Sequence, residues 1–156
     1  MKDKRMNKDI FFMEDTVRFA DTDAAGIVYF GAFATYFDES FFAALRQKGL
    51  GWERCKKLGF ILPIVEQKIN FFHPLRVGDT IRIAMGVTRI GNKSLTSSHI
   101  VSLKKQDEIV LAAKGYLSMA VVDLNSFKSR SIPEELLCFL EFFSTSEEEL
   151  WDSSNC

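Results

Sequence analysis

The chain has 156 residues, 47% of them apolar, and its 20 Lys and Arg side chains nearly balance 21 Asp and Glu. That size, without a long low-complexity stretch, suits one compact domain and leaves little room for a second. The charge balance gives no broad positive field to draw nucleic acid or an anionic membrane, so any anionic ligand has to be met by a local cluster.

Residues 1–10 read as a charged N-terminal extension, with neither the apolar core of a signal peptide nor the ~20 apolar residues of a membrane span. A soluble, cytoplasmic protein is the expectation. Phe11 to Ala20 then mixes apolar and polar residues around a β-branched centre, as a strand does, and runs into the polar, glycine-bearing Asp21-Thr22-Asp23-Ala24-Ala25-Gly26. Such loops often carry chemistry.

From Phe30 the apolar residues recur at helical spacing through Phe33, Ala34, Phe37, Phe41, Ala44 and Leu45, until Gly49 and Gly51 close the segment. This predicts one long, aromatic-faced helix whose phenylalanine stripe is core. A short helical stretch over Trp52 to Leu58 follows. Four extended segments come next: Ile61 to Phe72, Thr80 to Ile90, Ser94 to Lys104 and Ile109 to Asp123. Gly78-Asp79 and Gly91-Asn92 stand between them where tight reversals are needed, which predicts an antiparallel meander. Ser131-Ile132-Pro133-Glu134-Glu135 reads as a helix start with Ser131 as its cap. The acidic end from residue 144 to 156 reads as a frayed tail, which leaves residues 11–143 as the domain. One apolar helix covering one face of a curled antiparallel sheet makes the fold class α+β.

Cys55, Cys138 and Cys156 are an odd number without CxxC spacing, which argues against a disulfide framework and against zinc. The two histidines, His73 and His99, have no partner spacing for a transition metal. No metal is expected.

Phe19-Ala20-Asp21-Thr22-Asp23-Ala24-Ala25-Gly26-Ile27-Val28-Tyr29-Phe30, together with Leu62-Pro63-Ile64-Val65 and Asn70-Phe71-Phe72-His73-Pro74-Leu75-Arg76-Val77-Gly78-Asp79, resembles the 4-hydroxybenzoyl-CoA thioesterase family of the hotdog superfamily. Within it, the wording ADTD, AGIVYF, LPIV and NFF is most similar to the subgroup that hydrolyses 1,4-dihydroxy-2-naphthoyl-CoA in phylloquinone-making phototrophs. The resemblance implies a hotdog fold, a long central helix wrapped by a curled antiparallel sheet. It also implies homodimers that assemble to a homotetramer, with active sites at the dimer interface. Coenzyme A would be part of the substrate, and no separate cofactor is implied.

Asp23 matches the catalytic aspartate of that motif, acting as nucleophile or general base on the thioester. Gly26 would let backbone and substrate approach closely. The main-chain N–H near Tyr29 and Phe30, at the incoming end of the helix, would donate to the thioester oxygen; the resemblance selects Phe30. Arg89, Lys93 and Ser94 surround a turn suited to coenzyme phosphates, although Gly91-Asn92 stands where relatives carry more arginine. Glu39 and Glu66 are the competing carboxylates, read as a solvated or interface helix position and a polar strand position. Asp21 is read as turn chemistry in solvent, and His73 as a structural hydrogen bond. A hydratase on the same scaffold and a non-catalytic acyl-CoA-binding module are the alternatives.

Overall fold

The computed structural model describes residues 9–155, so most of the expected N-terminal extension and Cys156 lie outside the described residues. Strand β1 (Phe11–Thr16) comes first, and a single 3-10 turn (Phe19–Asp21) leads into the loop before helix α1 (Phe30–Gln47). Helix α2 (Trp52–Leu58) follows, then β2 (Phe60–Ile61), β3 (Ile64–Phe71), β4 (Thr80–Ile90), β5 (Ser94–Lys105), β6 (Glu108–Ala120) and β7 (Val122–Asp123). Helices α3 (Glu134–Phe142) and α4 (Glu147–Ser154) close the chain.

The 18 residues of α1 make a rod of about 27 Å at ~1.5 Å per residue. Of the stripe read in the sequence, Phe33, Phe37, Phe41, Ala44 and Leu45 are buried, joined by Tyr36, whereas Ala34 is half-buried and Phe30 is exposed. The buried side chains pack on Ile81, Ile83 and Met85 of β4, Leu95, Val101 and Leu103 of β5, and Leu117 and Met119 of β6. Burying a phenylalanine such as Phe37 or Phe41 is worth roughly 1.5–3 kcal/mol relative to leaving it in water. The helix therefore owes its place to the sheet, not to its caps: its N-cap, Tyr29, makes no side-chain capping bond.

The sheet order is β1-β4-β5-β6-β3, with every neighbour antiparallel. Three of the four long strands do form the expected meander, but β3 leaves it: it pairs with β6 at the far edge, not with β4. Its connection to β4, residues 72–79, crosses three strand spacings, about 14 Å, and passes beneath the start of α1, where Val28 N–H donates to Leu75 C=O at 2.9 Å. The Gly78-Asp79 turn consequently ends a crossover, not a hairpin. Gly78 takes φ +85° there, and Asp79 accepts from Arg76 N–H at 2.7 Å.

Two further expectations are corrected at the C-terminal end. Helix α3 starts at Pro133 as N-cap, without a side-chain cap, so Ser131 does not cap it. The segment read as a frayed tail instead folds: Ser146 and Glu149 form a reciprocal capping box at the head of α4. Leu150 is buried with Ala84 and Ile100 on the sheet face opposite α1. Among the described residues, no helix is long and apolar enough to cross a membrane.

Candidate active site

The loop from Asp21 to Tyr29 is closed by its own backbone. Tyr29 N–H donates to Asp21 C=O (3.0 Å), Asp23 N–H to Ile27 C=O (3.0 Å) and Gly26 N–H to Asp23 C=O (2.9 Å). Gly26 sits at φ +77°, a left-handed conformation that any Cβ would strain, and this lets the chain reverse between Asp23 and Ile27. At the tip, Asp23 Oδ1 accepts from Ala25 N–H at 2.8 Å. That bond fixes the carboxylate, which remains exposed and lines a pocket of ≈ 360 Å³.

The pocket joins three pieces of chain. The loop supplies Asp23 and Ile27, the head of α1 supplies Tyr29, Phe30 and Phe33, and the end of β3 with its crossover supplies Phe71, Phe72, His73 and Pro74. Phe33 and Phe71 meet edge to face with centroids 5.2 Å apart, forming an aromatic wall. Phe30 is 79% exposed and Phe72 52% exposed, so the mouth is rimmed by large apolar side chains turned to solvent. The N–H of Phe30 stands in the first turn of α1, where no helix carbonyl is available to accept it, and Phe30 lines the same pocket as Asp23. An exposed carboxylate and the first turn of a helix thus border one cavity, and acyl transfer requires a base or nucleophile together with a donor to the oxyanion.

The structure thus brings Asp23, Tyr29 and Phe30 together at one pocket, with Gly26 shaping the loop. It does not bring Arg89, Lys93 and Ser94 to it within one chain. Ser94 pairs with Ala120 and Phe71 with Ala113 along β6, so the β4–β5 hairpin stands seven residues, about 23 Å, from the Asp23 end. Arg89 lines a separate outer-face depression with Glu66, Thr88 and Tyr116.

The competing carboxylates lie elsewhere. Glu39 is exposed on α1, and Glu66 accepts from the Tyr116 hydroxyl at 2.6 Å on the outer face of β3. His73 donates its backbone N–H to Ala112 C=O at 3.2 Å and also lines the pocket, a placement its position before Pro74 did not reveal. Phe33, Phe71 and Phe72 were legible only as core and strand residues. Their role in the wall follows from the crossover.

Asp21 is the clearest departure from expectation. Instead of facing solvent it is buried, accepting from Arg18 N–H (3.0 Å), Arg18 Nε (3.3 Å) and Nη2 (3.2 Å), and the Tyr36 hydroxyl (2.9 Å). Burial alone would raise its carboxyl, but the Arg18 backbone and guanidinium together with Tyr36 outweigh it and hold it below the usual range. The Tyr36 phenol is pushed up, first by burial and then by Asp21. Among the described residues, no three His, Cys, Asp or Glu side chains converge as a metal site requires.

Over residues 17–140 the sequence matches the Thioesterase-like superfamily. The chain belongs to this family. It is 31% identical over 105 residues to a 1,4-dihydroxy-2-naphthoyl-CoA hydrolase of Thermosynechococcus vestitus, covering 67% of this chain and 72% of that protein. A protein of the same description from Microcystis aeruginosa is 30% identical over 136 residues, covering 86% and 96%. The crystal structure of a 1,4-dihydroxy-2-naphthoyl-CoA thioesterase from Synechocystis superposes with a TM-score of 0.76 at 26% identity, covering 85% of this chain and 96% of that one. This thioesterase-like chain therefore has the hotdog architecture that its motif implied.

Proposed function

We propose that this protein hydrolyses an aryl-coenzyme A thioester, with 1,4-dihydroxy-2-naphthoyl-CoA as substrate on the route to phylloquinone, and that Asp23 carries the chemistry. The observation that supports this most directly is the shared pocket: the exposed Asp23 carboxylate, the first residue of α1 and the Phe33–Phe71 wall. A flat aryl group fits against the aromatic rings while the thioester carbonyl lies between carboxylate and helix head. Asp23 acts there either by attacking the carbonyl carbon, with departure of the coenzyme thiolate and later hydrolysis of the mixed anhydride, or by deprotonating the attacking water. Developing charge on the carbonyl oxygen is met by the Phe30 N–H and the positive end of α1. Gly26 and Tyr29 position the loop and the helix start. No separate cofactor takes part.

The working unit in this reading is a homodimer built through β3. That strand is an edge, exposed or half-exposed at every position, with Ile64 and Val65 open to solvent. A bare edge of this length calls for a partner. Glu66 and Lys68 share the outer face of β3, so antiparallel pairing centred near Gln67 sets each opposite its complement in the other copy. Such pairing also reverses the strand direction, bringing the β4–β5 hairpin of the second copy to the Asp23 end of the first. Arg89, Lys93 and Ser94 would then reach the coenzyme phosphates from across the interface. The expected homotetramer would join two such dimers through surfaces that α4 leaves open.

A panel of acyl-CoAs offered to the purified protein, with thiol release followed, tests the reading. Preference for an aryl substrate is expected. Cleavage of no thioester would leave a binding module, and retention of turnover by Asp23→Asn with loss in Glu39→Gln or Glu66→Gln would move the site.

A further inference from the structure

Asp21 and Asp23 are two residues apart in one loop, yet only Asp23 faces the pocket. The first carboxylate is enclosed by four donors, three from Arg18 and one from Tyr36. Tyr36 lies seven residues, about two turns, into α1 from Tyr29. Its hydroxyl therefore ties the loop not to the helix end but to a buried point on the helix body, itself packed edge to face on Phe33 at 5.8 Å. The main-chain carbonyl of the same aspartate accepts from the N–H of Tyr29, the N-cap that immediately precedes the helix. One residue thus joins three things whose spacing acyl transfer depends on: the segment that leads from β1 into the loop, the loop that bears the carboxylate, and the helix head proposed to bear the oxyanion donor.

We propose that Asp21 is a positioning residue, gripped by Arg18 and Tyr36 so that the Asp23 carboxylate and the Phe30 N–H are held at a fixed separation. The inference rests on the reading of Asp23 as the reacting carboxylate and deepens it. Arg18 holds the carboxylate from the side that leads out of β1, with a side chain that stays 60% exposed, whereas Tyr36 holds it from the buried side. The Tyr36 bond is the more informative one to cut, because removing a hydroxyl leaves the ring packed on Phe33. Near-attack geometry is sensitive to displacements of an ångström, so loosening this grip acts on turnover and leaves the aromatic wall that binds substrate in place.

The test uses the full chain and an aryl-CoA substrate. Tyr36→Phe should lower kcat about 10-fold to 100-fold with KM changed by less than roughly twofold and the thermal midpoint nearly unmoved. Asp21→Asn should lower kcat at least as far. The double variant should match Asp21→Asn instead of multiplying the two losses, because both substitutions cut one linkage. Hydrogen exchange of the segment 21–30 supplies a readout free of catalysis: Tyr36→Phe should speed it by about 10-fold through local opening. Unchanged kcat and unchanged exchange in Tyr36→Phe would overturn the proposal, as would a parallel rise in KM and fall in thermal midpoint, the mark of general loosening. A wild-type protein that cleaves no thioester would instead sink the thioesterase reading; the exchange measurement then decides the clamp alone, acceleration supporting it and its absence ending it.

Discussion

His99 lies flat against Phe37, with ring centroids 4.6 Å apart and planes 8° from parallel, while its two nitrogens meet Ser40 Oγ at 2.9 Å and Ser97 Oγ at 2.8 Å. This imidazole is fully enclosed between the sheet and α1, and burial pushes its pKa down to about 3. It is therefore neutral in the folded protein at any pH near 7. An unfolded histidine titrates near ~6.5, so the unfolded chain takes up a proton that the fold refuses. The part of the stability linked to His99 is full above that pH and declines as pH falls towards about 3. Urea midpoints measured from pH 7 to pH 4 should drop for the wild type more steeply than for His99→Gln. Parallel curves would show that His99 is not the group responsible.

Substituting Asp23 by Asn preserves the shape of the loop, including an acceptor for Ala25 N–H, and removes the charge. Turnover of the aryl-CoA should fall by about 10²–10⁴-fold, with substrate binding by titration little changed. A loss confined to KM would place the chemistry on another residue.

Two glycines should respond to alanine for different reasons. At Gly115 an added Cβ would lie 1.8 Å from the Lys68 carbonyl oxygen, so β3 must shift away from β6. At Gly26 the space is open but φ is +77°. Gly26→Ala should cost about 1–2 kcal/mol of denaturation free energy from the conformation alone. Gly115→Ala should cost at least as much from crowding, about 1–3 kcal/mol, and should also weaken self-association measured by sedimentation. An unaltered sedimentation profile would argue against β3 as the dimer edge.

Leu150→Ala empties the contact between α4 and the outer face of the sheet, where Leu150 meets Ala84 and Ile100. The expected cost is about 2 kcal/mol, at the low end of buried leucine truncations because the cluster is small. Removing residues 145–154 should do more, uncovering Gly86, over which Thr145 sits closely enough that a Cβ would come within 2.3 Å of its methyl group. Chemical denaturation of both variants checks the order.

The long elements were legible because their signals are local. The α1 stripe, the Trp52–Leu58 helix and the Thr80–Ile90 strand could be read within a few residues of where they stand. The Asp23 loop was legible through its motif. What escaped depended on distant partners. The exit of β3 to the edge is decided by which strand pairs with β6, and this crossover creates the Phe72–Pro74 side of the pocket. Asp21 looks like any polar loop residue until Tyr36, 15 residues on, is placed beside it. The α4 helix had a readable cue, Ser146 three residues before Glu149, but its acidic run reads as solvent-facing until Leu150 finds Ala84. Arg89, Lys93 and Ser94 could be grouped as a turn, while their distance from Asp23 is a property of the sheet.

The two margins of the five-stranded sheet are unlike. The β1 margin is six residues long and charged at Glu14 and Asp15, and beyond it β4 is sealed where Val87 exchanges backbone bonds with Phe143 and Thr145. The β3 margin is longer and bare. A second copy docking on the bare margin, as proposed, would consume it, and among the described residues the joined five-stranded sheets would then end at their short charged borders. Under the proposed β3 pairing, growth by strand addition would thus be self-terminating, and the open template would be used up after one event.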